Sequence, residues 1–251
     1  MKRKSAELKR LAREILMHRY GIPMAAIVVS ELISVALLLP FSWDITPQSS
    51  VREWTIYYAA SFVISLVGVI LSIGRVYIAL CMARGKKYSF QDMFYGFRNH
   101  PDKYILAALL LIAICLIPAI PFILAMIVQH FVGMNIGTVL LAIAASLLML
   151  AGEFVIAMQY ALAFYLLIDF PQMRVLEAFR MSKGKMNGNK GRLFYIGLSF
   201  IGCSILGLLS FGIGMLWIGP YMMQTQICFY LDVMGESCTE GVWTDRNRIE
   251  Q

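Results

Sequence analysis

The sequence predicts an all-α, polytopic membrane protein with six transmembrane helices in three hairpins, each preceded by a basic amphipathic helix at the membrane interface. The composition, the long apolar segments and the placement of Lys and Arg support this class. Of 251 residues, 59% are hydrophobic and 15% are charged, whereas soluble globular proteins have about 45–50% apolar and about 25% charged residues. Too few polar side chains are present to cover the apolar ones, which argues against a water-soluble domain.

Six apolar segments are long enough, or nearly so, to cross about 30 Å of hydrocarbon. We expect helices, because backbone polar groups in lipid must be satisfied within the segment. The fourth segment is too long for one crossing, so its last turns are expected to project into water until Pro171. A short connection at 210–212 favours a tight hairpin of the last two spans over a re-entrant pair. The predicted spans are residues 22–40, 56–80, 104–128, 137–168, 193–209 and 213–231.

The placement of Lys and Arg predicts the orientation of the chain in the membrane. Of 22 basic residues, 7 precede the first span, 6 lie in 75–103, 6 lie in 174–192 and 2 lie in the C-terminal tail. Only Arg52 falls in a connection on the other side. Because basic connections stay on the inner side of a membrane, both termini are predicted to be cytoplasmic. The net charge of +7 is thereby explained without a nucleic-acid partner.

The chain is expected to form a single membrane domain, 1–251, built from an internal repeat. The period of about 85 residues gives units 1–85, 86–170 and 171–235 and a cytoplasmic tail, 236–251. Each unit starts with a basic helix that has one apolar face. Such helices lie in the inner interface beside anionic headgroups, or they pack beneath the bundle as a collar. Basic inner loops and aromatic belts would by themselves produce part of this pattern. The predicted faces are Leu8, Leu11, Ala12, Ile15 and Leu16; Phe90, Met93, Phe94 and Phe97; and Val175, Ala178, Phe179, Ser182 and Met186.

Two acids and one arginine lie inside predicted spans. Glu31 is placed about 14 Å into the membrane at 1.5 Å per residue, and Glu153 and Arg75 lie in the inner half. Acids at this depth are costly and suggest a functional site, although an acid that ties helices together by hydrogen bonds explains them equally. Arg75 is expected either to pair with Glu153 or to extend its side chain to the headgroups.

Four polar residues are predicted at the inner interface: Asp169, Glu177, Lys190 and Arg192. Convergence of Asp169, Glu177 and Lys190 would favour a membrane-embedded enzyme that acts on lipids. However, the sequence has no H-E-x-x-H or G-x-S-x-G motif, which are typical of metal-dependent and serine hydrolases. No enzyme activity and no cofactor are therefore predicted.

The cysteines and histidines do not predict a metal site or a disulfide framework. The five cysteines are odd in number and contain no C-x-x-C pair, so free thiols are expected. His18, His100 and His130 fall on different sides of the membrane, which argues against a shared metal ion.

Short motifs follow one another from the second span to the end of the last one. They are Gly74-Arg75, Arg84-Gly85, Phe94-Tyr95-Gly96-Phe97, Tyr160, Asp169-Phe170-Pro171, Glu177-Ala178, Ser182, Met186-Asn187-Gly188-Asn189-Lys190, Arg192-Leu193-Phe194, Leu198-Ser199-Phe200-Ile201-Gly202, Gly212-Ile213-Gly214-Met215-Leu216-Trp217, Pro220-Tyr221 and Phe229-Tyr230. Together they resemble the bacterial integral-membrane family described as domain of unknown function 975. The similarity is most specific between residues 169 and 230. Cys203 departs from it, since Trp is expected after Gly202.

The resemblance implies a helical protein of the bacterial plasma membrane and no established biochemical role. More loosely, the plan of interfacial helix and hairpin is similar to the membrane domain of some glycerophosphodiester phosphodiesterases. No soluble catalytic domain accompanies it in this sequence, so their activity is not implied.

Three functional hypotheses follow. The first is a non-enzymatic structural, regulatory or lipid-interacting protein whose partners are anionic headgroups on the cytoplasmic side. The second is a small transporter or channel component that uses Glu31 and Glu153. The third is the enzyme that acts on lipids. The sequence predicts neither a partner protein nor an oligomeric state.

Overall fold

The computed structural model describes residues 3–43, 45–46 and 48–238, and every regular element in them is helical. Of the predicted tail, 236–251, only residues 236–238 are among those that the structure describes. A 3-10 helix spans Phe90–Phe94. The α-helices are α1 (Ser5–Leu16), α2 (Gly21–Ser42), α3 (Val51–Ala83), α4 (Tyr95–Arg98), α5 (Pro101–Val132), α6 (Ile136–Tyr160), α7 (Ala163–Asp169), α8 (Val175–Met186), α9 (Lys190–Leu209) and α10 (Met215–Met234).

Five helical segments are long and apolar enough to cross a membrane, and they indicate a multi-pass membrane protein. They are α2, α3, α5, α9 and the continuous stretch Ile136–Asp169 that comprises α6 and α7. The sixth predicted span forms α10, which is not among the five. Gln224, Thr225, Gln226 and Asp232 lower its mean hydropathy, and most of the helix from Gln224 to Leu231 is buried in the protein.

The long helices pack in consecutive pairs, α2 with α3, α5 with α6 and α9 with α10. The core lies at one end of them, where α1, the second half of α3, α7, α8 and α10 meet. At the other end large apolar side chains are exposed, including Val51, Phe131 and Ile136. Apolar surface of this extent is stable when it faces lipid.

The segments of the first and third predicted amphipathic helices form the helices α1 and α8. The residues buried on each are those of the predicted apolar face. Leu8 and Leu16 of α1 are fully buried against α10, α3 and α9. These faces pack inside the protein, as the collar alternative requires, and do not face acyl chains.

The second predicted amphipathic helix is different. Residues 90–98 form the 3-10 helix and the single turn of α4, in which Met93 is buried while Phe94 and Phe97 are exposed. The segment runs directly against the backbone of α3. A Cβ built at Gly74 would lie 1.8 Å from the carbonyl oxygen of Met93. This close approach leaves no room for a continuous amphipathic helix on that side.

The last turns of the fourth predicted span do not project into water, because most of α7 is buried in the core. At 161–162 the helical hydrogen-bond pattern is interrupted, although both residues keep right-handed helical dihedrals. The fully buried Ser182 of α8 bridges this break. Its hydroxyl accepts a hydrogen bond from the N–H of Leu162 (3.2 Å) and donates one to the carbonyl of Gln159 (2.9 Å). The two backbone groups are therefore satisfied across the break, as burial demands.

The expectation of free thiols is wrong for one pair of cysteines. Cys228 and Cys238 form a disulfide, with Cα atoms 5.5 Å apart, and both residues are buried. The chain reverses after α10 because Gly235 has a φ of 87° and the N–H of Glu236 donates back to the carbonyl of Leu231. This turn brings Cys238 against α10. Cys81, Cys115 and Cys203 have free thiols.

Ser182→Ala is expected to lower stability, because two buried backbone groups lose their partner. Each such loss costs about 1–3 kcal/mol. In a chain of this size, a loss of about 1 kcal/mol lowers the melting temperature by about 2–4 °C. The measurement is thermal unfolding in a neutral detergent. Ser146→Ala is the control, since its exposed hydroxyl bonds only to its own helix at Ile143. Equal melting of the two variants would contradict the bridging role of Ser182.

Gly74→Ala is expected to separate α3 from the 3-10 helix, because the new Cβ collides with backbone and not with a flexible side chain. Gly68→Ala on the same helix is the matched control, since nothing lies within 4 Å of its Cβ. The control should melt at the wild-type temperature or above it, because Ala favours a helix by about 1 kcal/mol over Gly. Thermal unfolding compares the two, and an unchanged Gly74→Ala protein would rule out the close approach.

Candidate functional site: a cation-rich helix end

Charged side chains join the helix ends on one side of the bundle. We call the end where α3, α7 and α10 finish and α5 and α9 begin the basic end. The ammonium of Lys103, at the start of α5, donates to the carbonyl of Pro171 beyond α7 (2.5 Å). The consecutive long helices thus alternate in direction, as expected of a polytopic protein.

Arg84 forms the centre of the first network at the basic end. It follows α3 directly and donates two parallel hydrogen bonds to Asp169, the last residue of α7 (2.6 and 2.8 Å). The hydroxyl of Tyr230 donates to the same carboxylate (2.6 Å), and Arg84 also reaches Glu236 (2.9 and 3.1 Å). The Asp169 side chain is 9% exposed. The hydrogen bonds from Arg84 to this carboxylate raise the pKa of the guanidinium above its ordinary value.

Arg192 forms the centre of the second network. Its guanidinium donates to Asp232 of α10 (2.5 Å), to the backbone carbonyl of Arg3 (2.6 Å) and to Asn189 (3.3 Å). It also lies 5.4 Å from the centre of the Phe229 ring. The Asp232 side chain is 8% exposed. Together the two networks attach α3, α7, α9 and the N-terminal segment to α10.

The predicted inner-interface residues do not converge on one site. Asp169 and Arg192 hold helix ends together, as described above. Glu177 accepts a hydrogen bond from the N–H of Arg174 (3.3 Å) and so caps α8. Lys190 is the first residue of α9 and makes no hydrogen bond or ion pair with any residue that the structure describes. The shared polar site on which the lipid-enzyme hypothesis depended is therefore not formed by the described side chains.

The acids inside the spans also differ from expectation. Arg75 pairs with Glu31 across the α2–α3 hairpin (3.6 Å) and not with Glu153. The Glu31 side chain is 67% exposed, whereas that of Arg75 is 20% exposed. Glu153 faces α5 near Cys115 and has no ion-pair partner in the described part of the chain. The difference arises because α3 packs along α2.

A small cavity lies beside Arg75. Its walls come from α1, α2, α3 and α10, and its volume is about 10 Å³, which suffices for about one water molecule. The Nε of Arg75 and the Oε1 of the fully buried Gln224 face no hydrogen-bond partner among the described residues. The amide nitrogen of Gln224 donates to the carbonyl of Ala79 (3.2 Å). This cavity is too small to serve as an ion pathway.

Among the described residues, eight other cations near the basic end are exposed. Unlike Arg84 and Arg192, they are not held by a buried carboxylate. Of the described Lys and Arg, only Arg52 lies in a connection at the opposite end. The described residues hold no group of three or more His, Cys, Asp and Glu suited to a metal ion. The eight exposed cations are Lys4, Arg10, Lys86, Lys87, Arg98, Arg174, Arg180 and Lys183. Arg13 is also exposed, but it lies 5.8 Å from the centre of the Tyr221 ring in the first half of α10, away from the basic end.

Most members of the two networks were not predicted from the sequence. Arg84, Tyr230, Asp232 and Glu236 were not predicted as site residues. One signal was present: Asp232 directly follows the last predicted apolar span. Which cation it meets depends on the packing of α9 against α10.

These features define a multi-pass helical protein whose helix ends are joined by buried ion pairs at one cation-rich end. The chain belongs to the family described as protein of unknown function (DUF975), whose sequence model matches residues 1–237. This confirms the resemblance found in the motifs. No curated protein and no solved structure matches the chain.

Arg84→Gln and Asp169→Asn are each expected to lower the melting temperature strongly, because each leaves a charge poorly compensated in a largely buried site. Removing one partner of a fully buried pair costs about 3–5 kcal/mol, and the partial exposure of Arg84 reduces this. The double variant should recover part of the loss. The measurement is a double-mutant cycle of thermal unfolding.

The matched control for this cycle is the exposed pair Arg10–Glu14 (3.6 Å). Arg10→Gln and Glu14→Gln should change stability by less than about 1 kcal/mol, because water screens the pair. Strictly additive effects of Arg84→Gln and Asp169→Asn would show that the two residues are not coupled.

Proposed function

We propose that this chain is a non-enzymatic integral protein of the bacterial plasma membrane that binds anionic phospholipid headgroups at its basic end. The single observation behind this proposal is the division of the cations into two sets. Arg84 and Arg192 are neutralised by buried carboxylates, whereas a second set remains exposed around them. The exposed set is thus available for an external anion.

In the proposed topology the basic end lies on the cytoplasmic side, and six helices cross the membrane as three hairpins. The alternating helix direction supports this arrangement. Helix α10 has 20 residues, which corresponds to about 30 Å and matches the hydrocarbon thickness. Its polar residues Gln224 and Thr225 are fully buried in the protein, because α1, α2, α3 and α9 surround the helix. Both termini then lie in the cytoplasm.

The exposed cations would interact with the headgroups through long-range attraction. Each Lys or Arg near an anionic membrane surface contributes about 1 kcal/mol. The set includes Lys86 and Lys87 after α3 and Arg180 and Lys183 on α8. Arg10 contributes less, since it is paired with Glu14. A surface of this kind positions a protein relative to anionic lipids without catalysing a reaction.

A transporter or channel component that uses Glu31 and Glu153 has less support. Transport requires a polar path to the acids. Glu31 lies on the helix surface beside Arg75, and the adjoining cavity has a volume of about 10 Å³. Proteoliposomes that contain the chain are therefore expected to show the same ion leak as empty ones, and a leak abolished by Glu31→Gln would instead favour the transporter.

Anionic lipid is expected to stabilise the protein by preferential binding to the folded state. Thermal unfolding in neutral detergent should shift upward with added phosphatidylglycerol and much less with phosphatidylcholine. At 1 M salt the shift should largely disappear, because the screening length falls to about 3 Å.

A triple variant that combines Lys86→Gln, Lys87→Gln and Lys183→Gln removes three exposed cations. It should reduce the rise in melting temperature that phosphatidylglycerol causes. Arg52→Gln at the opposite end removes an exposed cation elsewhere and should leave the shift unchanged. Equal shifts with both lipids, or an effect of Arg52→Gln as large as that of the triple variant, would overturn the headgroup proposal.

A further inference from the structure

A groove of about 300 Å³ lies between α6, α7, α9 and α10. Its walls are mostly apolar and include Leu162, Phe200 and Phe229. Two polar side chains, Tyr165 and Gln226, also line it. Sites for small ligands have volumes of about 300–1,000 Å³ and combine apolar walls with a few polar groups, so the groove has the size and character of a binding site.

Small residues at its rim keep the groove open. Ala157 of α6 and Gly197 of α9 are both exposed there. Nothing lies within 4 Å of a Cβ built at Gly197. The opening thus depends on the small size of these two side chains.

The surroundings of the groove favour an acyl chain as its occupant. Helices α6 and α9 are among the segments able to cross a membrane, so their outer surfaces contact lipid. An unfilled apolar groove would forfeit dispersion contacts along its walls. A flexible hydrocarbon chain from the adjacent leaflet restores those contacts without any polar cost.

The polar side chains in the groove can bind the ester region of a lipid. The hydroxyl of Tyr165 donates to the Oε1 of Gln226 (3.2 Å). The amide hydrogens of Gln226 have no acceptor among the described residues. Because Gln226 lines the groove, its amide can donate to an ester carbonyl of a glycerolipid.

A cation lies at the end of the groove that adjoins the basic end. Lys190 precedes Leu193 and Gly197 by three and seven residues, a spacing that places all three on one face of α9. Leu193 and Gly197 both line the groove. Lys190 has no hydrogen-bond or ion-pair partner among the residues described. Its ammonium is therefore available to a phosphate at the level of the headgroups.

We propose that this groove binds one acyl chain of an anionic phospholipid whose phosphate is held by Lys190. The inference rests on the proposed function, since it assumes that the basic end faces an anionic leaflet. It goes further because it assigns one lipid to a defined site, whereas the exposed cations would attract headgroups without holding any one of them in place.

The test uses the full chain in nanodiscs that contain a trace of phosphatidylglycerol with a photoreactive diazirine on one acyl chain. After irradiation, peptide mass spectrometry should find the label on 157–165 and 193–200. Gly197→Leu fills the groove and should reduce this label to background. Gly202→Leu is the matched control, because it adds the same side chain to an equally open position on α9 outside the groove.

Ala157→Leu fills the groove from the facing wall. It provides a second, independent variant in case Gly197→Leu misfolds. Both groove variants should keep the wild-type melting temperature while losing the label. The site would be overturned if both folded groove variants kept the label at 157–165. It would also be overturned if Gly202→Leu reduced the label as much as the groove variants do.

Lys190→Gln tests the phosphate contact. The measurement compares labelling by diazirine phosphatidylglycerol with labelling by diazirine phosphatidylcholine. The preference for the anionic lipid should be about fivefold weaker in the variant than in the wild type, because one cation near the surface contributes about 1 kcal/mol. An unchanged preference would remove Lys190 from the site.

The two proposals fail in different ways. Loss of the phosphatidylglycerol shift in melting temperature together with groove labelling by both lipids would overturn the headgroup proposal and the phosphate contact. A preserved shift together with labelling that ignores Gly197→Leu would overturn the groove alone.

Discussion

The structure depends on the neutralisation of charge where helix ends are buried. The bidentate contact of Arg84 with Asp169, completed by Tyr230, joins the ends of α3, α7 and α10 in a site where the carboxylate is 9% exposed. A charge in such a place is tolerated only when it is paired and hydrogen-bonded. Arg192 and Asp232 repeat the arrangement for α9 and α10. The packing of the core around α10 follows from these contacts.

This constraint divides the molecule into two unlike ends. Near the ion pairs, side chains such as Leu8, Phe200 and Tyr230 are fully buried in protein. At the far end Val51 and Ile136 project outward, because lipid can solvate them at no cost. The hydrophobic stripe of α1 belongs to the first environment and not to the membrane surface. The same division leaves one set of cations paired inside and another exposed, as the proposed function requires.

Much of the fold followed from local pattern, whereas the site followed only in part. The apolar faces of α1 and α8 were predicted residue by residue, since helical spacing determines which side chains share a face. Asp169 and Arg192 were identified as inner-interface residues, but their partners Arg84 and Asp232 were not. Arg75 was expected beside Glu153, yet it pairs with Glu31. The partner of a charge depends on which helices pack together, and no local pattern records that.

The sequence alone determined that the chain is helical, rich in membrane-spanning segments and strongly asymmetric in charge, because composition and hydropathy act on each segment separately. Only the tertiary structure decided where a helix breaks and what fills the gap. Ser182 satisfies Leu162 and Gln159 from 20 or more residues away, and Cys238 reaches Cys228 through a turn at Gly235. Such contacts require distant segments to meet, so they arise from packing and not from any one stretch of sequence.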